Sequence, residues 1–261
     1  MMIDWAYSTA GAITGFVVGL TGIGGGVLMT PILLIIFKTP VVQAVGTDLW
    51  FAAITKMAVI YIHNRNQQIN WQIAKLLWKG SIPISIMLTI AIAGGYVTKL
   101  TGYIPIMIGI ILIVTSLGLL FPKQLKNKLI NIKFSRNRSF ISRIQPLATI
   151  LAGTALGFIV SLTSAGAGAI GTILLIYLYS ARLTPREIIA TEIAHAIPLA
   201  IVAGTGYLIF GKVDFHMLTS LLVGSIPAVI LGTFLAQKIS NNILKTILGN
   251  ILFCSGLKLL M

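Results

Sequence analysis

Carboxylates are nearly missing from this chain: five Asp and Glu stand against 19 Lys and Arg in 261 residues, and charges of both signs together make up 9%. A soluble chain of this length must wet its surface. A composition that is 57% hydrophobic, with mean hydropathy +0.98, therefore excludes an ordinary soluble domain. Cysteine is reduced to Cys254, which excludes an intrachain disulfide and any multi-cysteine metal site. No metal and no other cofactor is expected. No basic residue precedes the first apolar run, only Asp4, so a cleaved secretory signal is not expected.

What the chain does have is apolar length. Eight apolar segments can be read, at 6–37, 44–62, 72–94, 102–121, 146–180, 188–210, 216–236 and 243–261. Most reach the roughly 18–20 residues that a helix needs to cross a ~30 Å hydrocarbon core. In lipid the backbone must satisfy its own hydrogen bonds, so the expected fold is all-α and polytopic. The formal charge of +14 does not indicate nucleic acid. Its basic residues lie between apolar segments, and seven (Lys123, Lys126, Lys128, Lys133, Arg136, Arg138 and Arg143) crowd into 122–145. That pattern marks a cytoplasmic connector of a multi-pass protein of the cell membrane.

The connector separates two related halves, a first membrane repeat over 1–121 and a second over 146–261. Gly80-Ser81-Ile82-Pro83 returns as Gly224-Ser225-Ile226-Pro227, and Thr47-Asp48 returns as Thr191-Glu192. Segments one and five are too long for one upright helix and too short for two. Each also has a weak centre, Thr21-Gly22-Ile23-Gly24-Gly25-Gly26 and Thr163-Ser164-Ala165-Gly166-Ala167-Gly168. Glycine destabilises a helix by up to about 1 kcal/mol per residue. Both segments are expected to break, as re-entrant hairpins or as two short spans, giving eight to ten membrane helices. Leaving aside Lys56, which lies within a segment, basic residues divide 12 to 6 across the membrane if every segment crosses once; if both long segments leave on the side they entered, they divide 14 to 4. The cleaner division favours hairpins and, with an odd number of crossings per half, inverted repeats.

Glycines at 11, 15, 19, 22 and 26 and their partners Gly153, Gly157, Ser161, Ser164 and Gly168 follow helical spacing. The outer members fit a packing seam between close helices. The inner clusters exceed what a seam needs. Broken helices expose free N–H groups that bind anions. Thr21, Gly22, Gly24, Gly25, Gly26, Thr47, Thr163, Ser164, Gly166, Gly168 and Thr191 are accordingly the candidate substrate-binding residues. Asp48 and Glu192 either cap helix starts or line the cavity and change protonation. His195, one turn past Glu192, is either a helix–helix hydrogen-bond partner or a relay member. Lys56 pairs with Asp48, attracts an anion or snorkels. These four are the candidate proton-coupling or cavity charges.

The ordered set Gly15-Phe16, Thr21 to Gly26, Pro31 and Ala44-Val45-Gly46-Thr47-Asp48-Leu49 resembles the TauE/SafE sulfite-exporter family. So does Thr191-Glu192-Ile193-Ala194-His195-Ala196. The likeness covers nearly the whole chain. It departs in the second half, where Ser-Ala-Gly-Ala-Gly replaces a glycine run, and Ala190 and Glu192 replace a glycine and an aspartate or small polar residue. The resemblance implies a bacterial or archaeal plasma-membrane transporter exporting sulfite or small organosulfur anions such as sulfonates. The expected function is thus secondary transport of a small anion, with the bilayer and that anion as partners, no nucleic acid, and a homodimer admitted. An anion channel is one alternative. An intramembrane hydrolase is the other, with Ser164 and His195 as the available nucleophile–base pair.

Overall fold

The computed structural model describes residues 4–21, 26–63, 69–96, 102–120, 138–165, 168–179, 182–235 and 241–261. Among them lie ten helices and no strand: α1 Trp5–Thr21, α2 Gly26–Ile35, α3 Val41–His63, α4 Trp71–Ala93, α5 Ile104–Leu120, α6 Arg138–Thr163, α7 Ala169–Tyr179, α8 Pro185–Ile209, α9 Phe215–Leu235 and α10 Asn241–Leu260. Four stretches are long and apolar enough to cross a membrane: Trp71–Ala93, Ile144–Thr163, Pro185–Ile209 and Phe215–Leu235. Their outward faces are greasy, with Met87, Leu151 and Phe234 all more than half exposed. Such a surface belongs in hydrocarbon.

Local chemistry sets the helix starts. Thr184 and Glu187 form a reciprocal capping box ahead of α8, with Pro185 at its first position. Asn70 Oδ1 accepts from Ile73 N at 3.2 Å before α4, and Asp214 Oδ1 accepts from Met217 N at 2.9 Å before α9. α6 begins earlier than the apolar run, at Arg138, inside the stretch assigned to the connector. Phe140, Ile141 and Ile144 recur there at helical spacing and extend the pattern toward the N-terminus.

The two long segments break where the glycine clusters fall. α1 ends at Thr21 and α2 starts at Gly26. α6 ends at Thr163, and Ser164 turns out of it at φ 54° while its N–H still reaches Val160 O at 2.8 Å. A left-handed residue just past a helix end closes the last turn in this way. Each pair then folds back on itself. The rings of Tyr7 and Phe37 stack at 4.4 Å, bringing the start of α1 beside the end of α2. Gln145 Nε2 donates to Leu178 O at 2.6 Å, and the Thr149 and Tyr179 hydroxyls lie 2.7 Å apart, joining the start of α6 to the end of α7.

The two halves of the chain are interleaved. α1 packs most extensively on α9, and α4 on α6, so the first helix of each half clasps the fourth of the other. Gly11, Gly15 and Gly19 face Leu221, Ser225 and Val229 in turn, and Gly153 and Gly157 face Leu77 and Ser81. Both pairs therefore run parallel, and the outer small residues are the packing seam expected of them. α3 and α8 run antiparallel, with Gly204 on the Trp50 indole and Lys56 beside Glu192. α5 and α10 are antiparallel too, since Gly109 meets Gly256 while Ser116 Oγ donates to Gly249 O at 2.8 Å. The main apolar core, including Leu49, Ile108, Leu112, Leu199 and Leu252, gathers among these central helices and supports the charged residues that α3 and α8 carry.

Candidate functional site

α3 and α8 carry Asp48 and Glu192 two turns beyond their first residues, too deep to cap either helix. Both acids are essentially without solvent contact, at 0% and 1% exposure. The seclusion has different partners on the two sides. The Thr30 hydroxyl of α2 donates to Asp48 Oδ2 and also approaches Thr163 O, at 3.4 Å, at the tip of α6. The Ser164 hydroxyl faces the same carboxylate. Around Glu192, α7 comes so near that a methyl on Gly171 would sit 3.0 Å from Glu192 Cγ. The charge partner of Glu192 is Lys56 of α3, with Nζ 3.6 Å from Oε1 and both side chains buried.

Asp48 thus sits where the broken helix of the opposite half and the return arm of its own meet, and Glu192 sits between the return arm of its own half and the lysine of the opposite central helix. Several polar atoms of these residues, and of His195 one turn past Glu192, have no hydrogen-bond partner: Asp48 Oδ1, Glu192 Oε1, Ser164 Oγ and His195 Nδ1. Buried polar groups are nearly always paired, and unpaired ones in a cluster mark a place for a ligand, an ion or a proton.

The other sequence candidates fall in three groups. Gly22, Gly24, Gly25 and Gly166 lie outside the described residues; Gly26 and Gly168 stand at the starts of α2 and α7. Thr21 and Thr163 direct their hydroxyls to carbonyls of their own helices, Val17 O at 2.8 Å and Ile159 O at 2.7 Å. Thr47 and Thr191 form a matched pair at the helix ends. Thr47 Oγ1 accepts from Asp214 N, and Thr191 Oγ1 accepts from Asn70 N, each at 3.0 Å. Asp214 and Asn70 are the residues that start α9 and α4, so each threonine ties the central helix of one repeat to the fourth helix of the other. Thr191→Val should remove one such acceptor and lower stability by about 1 kcal/mol, measured by thermal unfolding in detergent.

Lys56 joins the opposite repeat rather than Asp48. Eight residues is two turns, about 12 Å along α3 from Asp48, and the ammonium stands beside Glu192 of α8. His195 points its Nε2 at Ser81 Oγ of α4, 3.0 Å away, and its carbonyl accepts from Trp78 Nε1 at 3.1 Å. Ser164 Oγ makes no hydrogen bond to His195. Thr30, Trp50, Ser81 and Gly171 were not singled out from the sequence. The first was within reach, because Thr30-Pro31 follows the glycine run and Thr172 follows the second cluster at the same offset as Thr163 follows Thr21.

Apolar membrane-length helices wrapped around a buried, mixed-charge centre define a multi-pass membrane transporter, and the comparisons agree on that class. The chain is 36% identical to the probable membrane transporter protein YjnA of Bacillus subtilis over 260 residues, 96% of this chain and 97% of that one. It is 26% identical to the probable membrane transporter protein YdhB of the same organism, over 92% of each chain. It is 28% identical to the probable membrane transporter protein MJ0441 of Methanocaldococcus jannaschii, over 95% of this chain and 94% of that one. The chain belongs to the sulfite exporter TauE/SafE family, whose model matches residues 7–259. No solved structure matches it.

Proposed function

We propose that the protein is a secondary transporter of a small anion, sulfite or a small sulfonate, carried through the centre between two inverted repeats of a plasma-membrane protein with its basic connector in the cytoplasm. One observation carries the reading. Asp48 and Glu192 occupy matched positions in the two halves, both fully buried, Asp48 beside the helix break of the other half and Glu192 between the return arm of its own half and Lys56 of the other. An acid in a membrane interior is expensive and persists where it works. The inverted relation is supported by the central pairs. α3 and α8 are counterparts in the repeat yet lie side by side antiparallel, as do α5 and α10. A two-fold axis relating such neighbours lies across the helices, in the membrane plane. The ends of each hairpin lie side by side, which agrees with the topology favoured by the cleaner distribution of basic residues.

The anion is held at the starts of α2 and α7, where Gly26 and Gly168 stand at the positive ends of two helices, whose first amides have no partner within the helix. Lys56 supplies the nearby positive charge. Glu192 shares that ammonium and takes up a proton when the anion draws Lys56 away; His195, one turn along α8, lies on the proton's route. Support for the sulfur anion comes from the family description, and support for transport from the relatives' names.

The test is flux of sulfite into proteoliposomes. Saturable flux accelerated by an imposed proton gradient is expected. Asp48→Asn should lower it about a hundredfold, since the loss of one essential buried charge removes about 3 kcal/mol of differential binding. Flux that never saturates would mark a channel, and flux indifferent to the proton gradient would remove the proton role.

A further inference from the structure

The two acids do not have equal company, and the inequality follows the repeat. Residue 48 corresponds to 192, and by the same offset Lys56 corresponds to Ala200. The fold therefore provides one tethered ammonium for two carboxylates, and Lys56 Nζ lies 3.6 Å from Glu192. Both acids have one oxygen without a hydrogen bond, but Asp48, at 0% exposure, has no ion pair among the described residues to set against its Oδ1.

The hydrogen-bonding side-chain groups placed at this carboxylate are oxygens. Thr30 Oγ1 bridges Asp48 Oδ2 and the Thr163 carbonyl. That carbonyl belongs to the last turn of α6, whose free carbonyls form the negative end of the helix dipole. Ser164 Oγ faces the carboxylate, is 4% exposed as a residue, and also lacks a partner. Its position at φ 54° is what turns it out of the helix. The equivalent residue of the first half is Gly22, which has no hydroxyl to offer. A carboxylate set against a helix C-terminus, with serine, threonine and carbonyl oxygens around it, is wrong for an anion and right for a hard cation. One carboxylate balances one charge; a divalent ion would leave an uncompensated charge in an apolar interior.

We propose that Asp48 Oδ1, Ser164 Oγ and the Thr163 carbonyl, completed by Thr30 Oγ1, form a sodium site at the acid that the lysine does not pair. Sodium here is the soluble counterpart of the Lys56 ammonium beside Glu192, and an anion bound at the helix starts of α2 and α7 lies between the two positive charges. The role of the ion in coupling rests on the transporter reading; the existence of the site does not.

Binding is therefore measured on purified protein in detergent, without any sulfur anion, as melting temperature in sodium chloride against choline chloride at equal ionic strength and pH. Sodium should raise the melting temperature saturably, by about 5 °C at a hundred times its dissociation constant. The shift should vanish in Asp48→Asn and need about tenfold more sodium in Ser164→Ala, which deletes one ligand oxygen. Should Asp48→Asn not fold, saturable binding of radioactive sodium to the unaltered protein, one ion per chain and weakened in Ser164→Ala, decides the matter. Equal melting in sodium and choline, a sodium shift retained in Asp48→Asn, or stabilisation by acid alone would overturn the proposal. Absence of sulfite flux alongside an intact sodium shift would strike only the anion reading.

Discussion

Gly224→Leu is expected to leave no folded, monodisperse protein after extraction into detergent. A β-carbon at this position would overlap the Ser8 carbonyl oxygen of α1 and sit 3.0 Å from Ala12 N. These are backbone atoms, and no rotamer change can clear them. The seam cannot yield locally either. Further along it Gly15 would meet Ser225 Cα at 2.8 Å, and Gly19 would meet Gly232 Cα at 3.0 Å. Prising α1 from α9 at one point separates a whole parallel interface whose stability in lipid comes from close packing. The loss should exceed the roughly 3 kcal/mol of ordinary overpacking, against a total of about 5–15 kcal/mol for a typical folded domain. Gly95→Ala is the contrasting case. Gly95 has φ 76° and open space around its Cα, so the cost is backbone strain alone, about 1 kcal/mol. Size-exclusion profiles of fluorescently tagged variants read both outcomes. A monodisperse Gly224→Leu would show that the helices can stand further apart than this fold places them.

The second large effect concerns Lys56. Lys56→Met keeps most of the stem but leaves Glu192 buried with no positive partner. Breaking a buried pair from one side typically costs about 3–5 kcal/mol. For a chain of this size that corresponds to a melting temperature about 10 °C lower. Removing the carboxylate as well, in Lys56→Met with Glu192→Met, should restore most of the loss, because a buried pair is held together by mutual need rather than by net stabilisation. Sulfite flux should be absent from both variants. Equal melting of the single and double variants would show that the ion pair contributes nothing to stability.

Much of this was legible in the sequence because lipid imposes simple rules. The described residues are all-helical, as the apolar segments implied, and both glycine clusters fall where α1 and α6 stop. The outer glycines at 11, 15, 19, 153 and 157 face helix backbones, as their spacing implied. What the sequence withheld was partnership between distant residues. Lys56 was placed near Asp48 because both share a helix; the antiparallel neighbour that carries Glu192 is invisible to helical periodicity. Thr47 and Thr191 read as hydroxyls beside the acids, and their ties to Asp214 and Asn70 depend on which helices cross. Asp214 ends one apolar interval and Asn70 another, so only the repeat offset links them. The early start of α6 was hidden for a different reason: its first turns are basic, and hydropathy alone assigns basic residues to loops.

The interleaving of the halves also sets a schedule. Ser8 Oγ donates to a carbonyl at Ser220, 212 residues further along the chain. At roughly 5–20 residues per second, a ribosome takes about 10–40 s to deliver that partner after α1 has emerged. Through that interval the glycine face of α1 lies bare in the bilayer, and the newborn N-terminal half has nothing of its own to close it. Insertion of this chain thus ends with a rendezvous: its first helix is the one that waits longest.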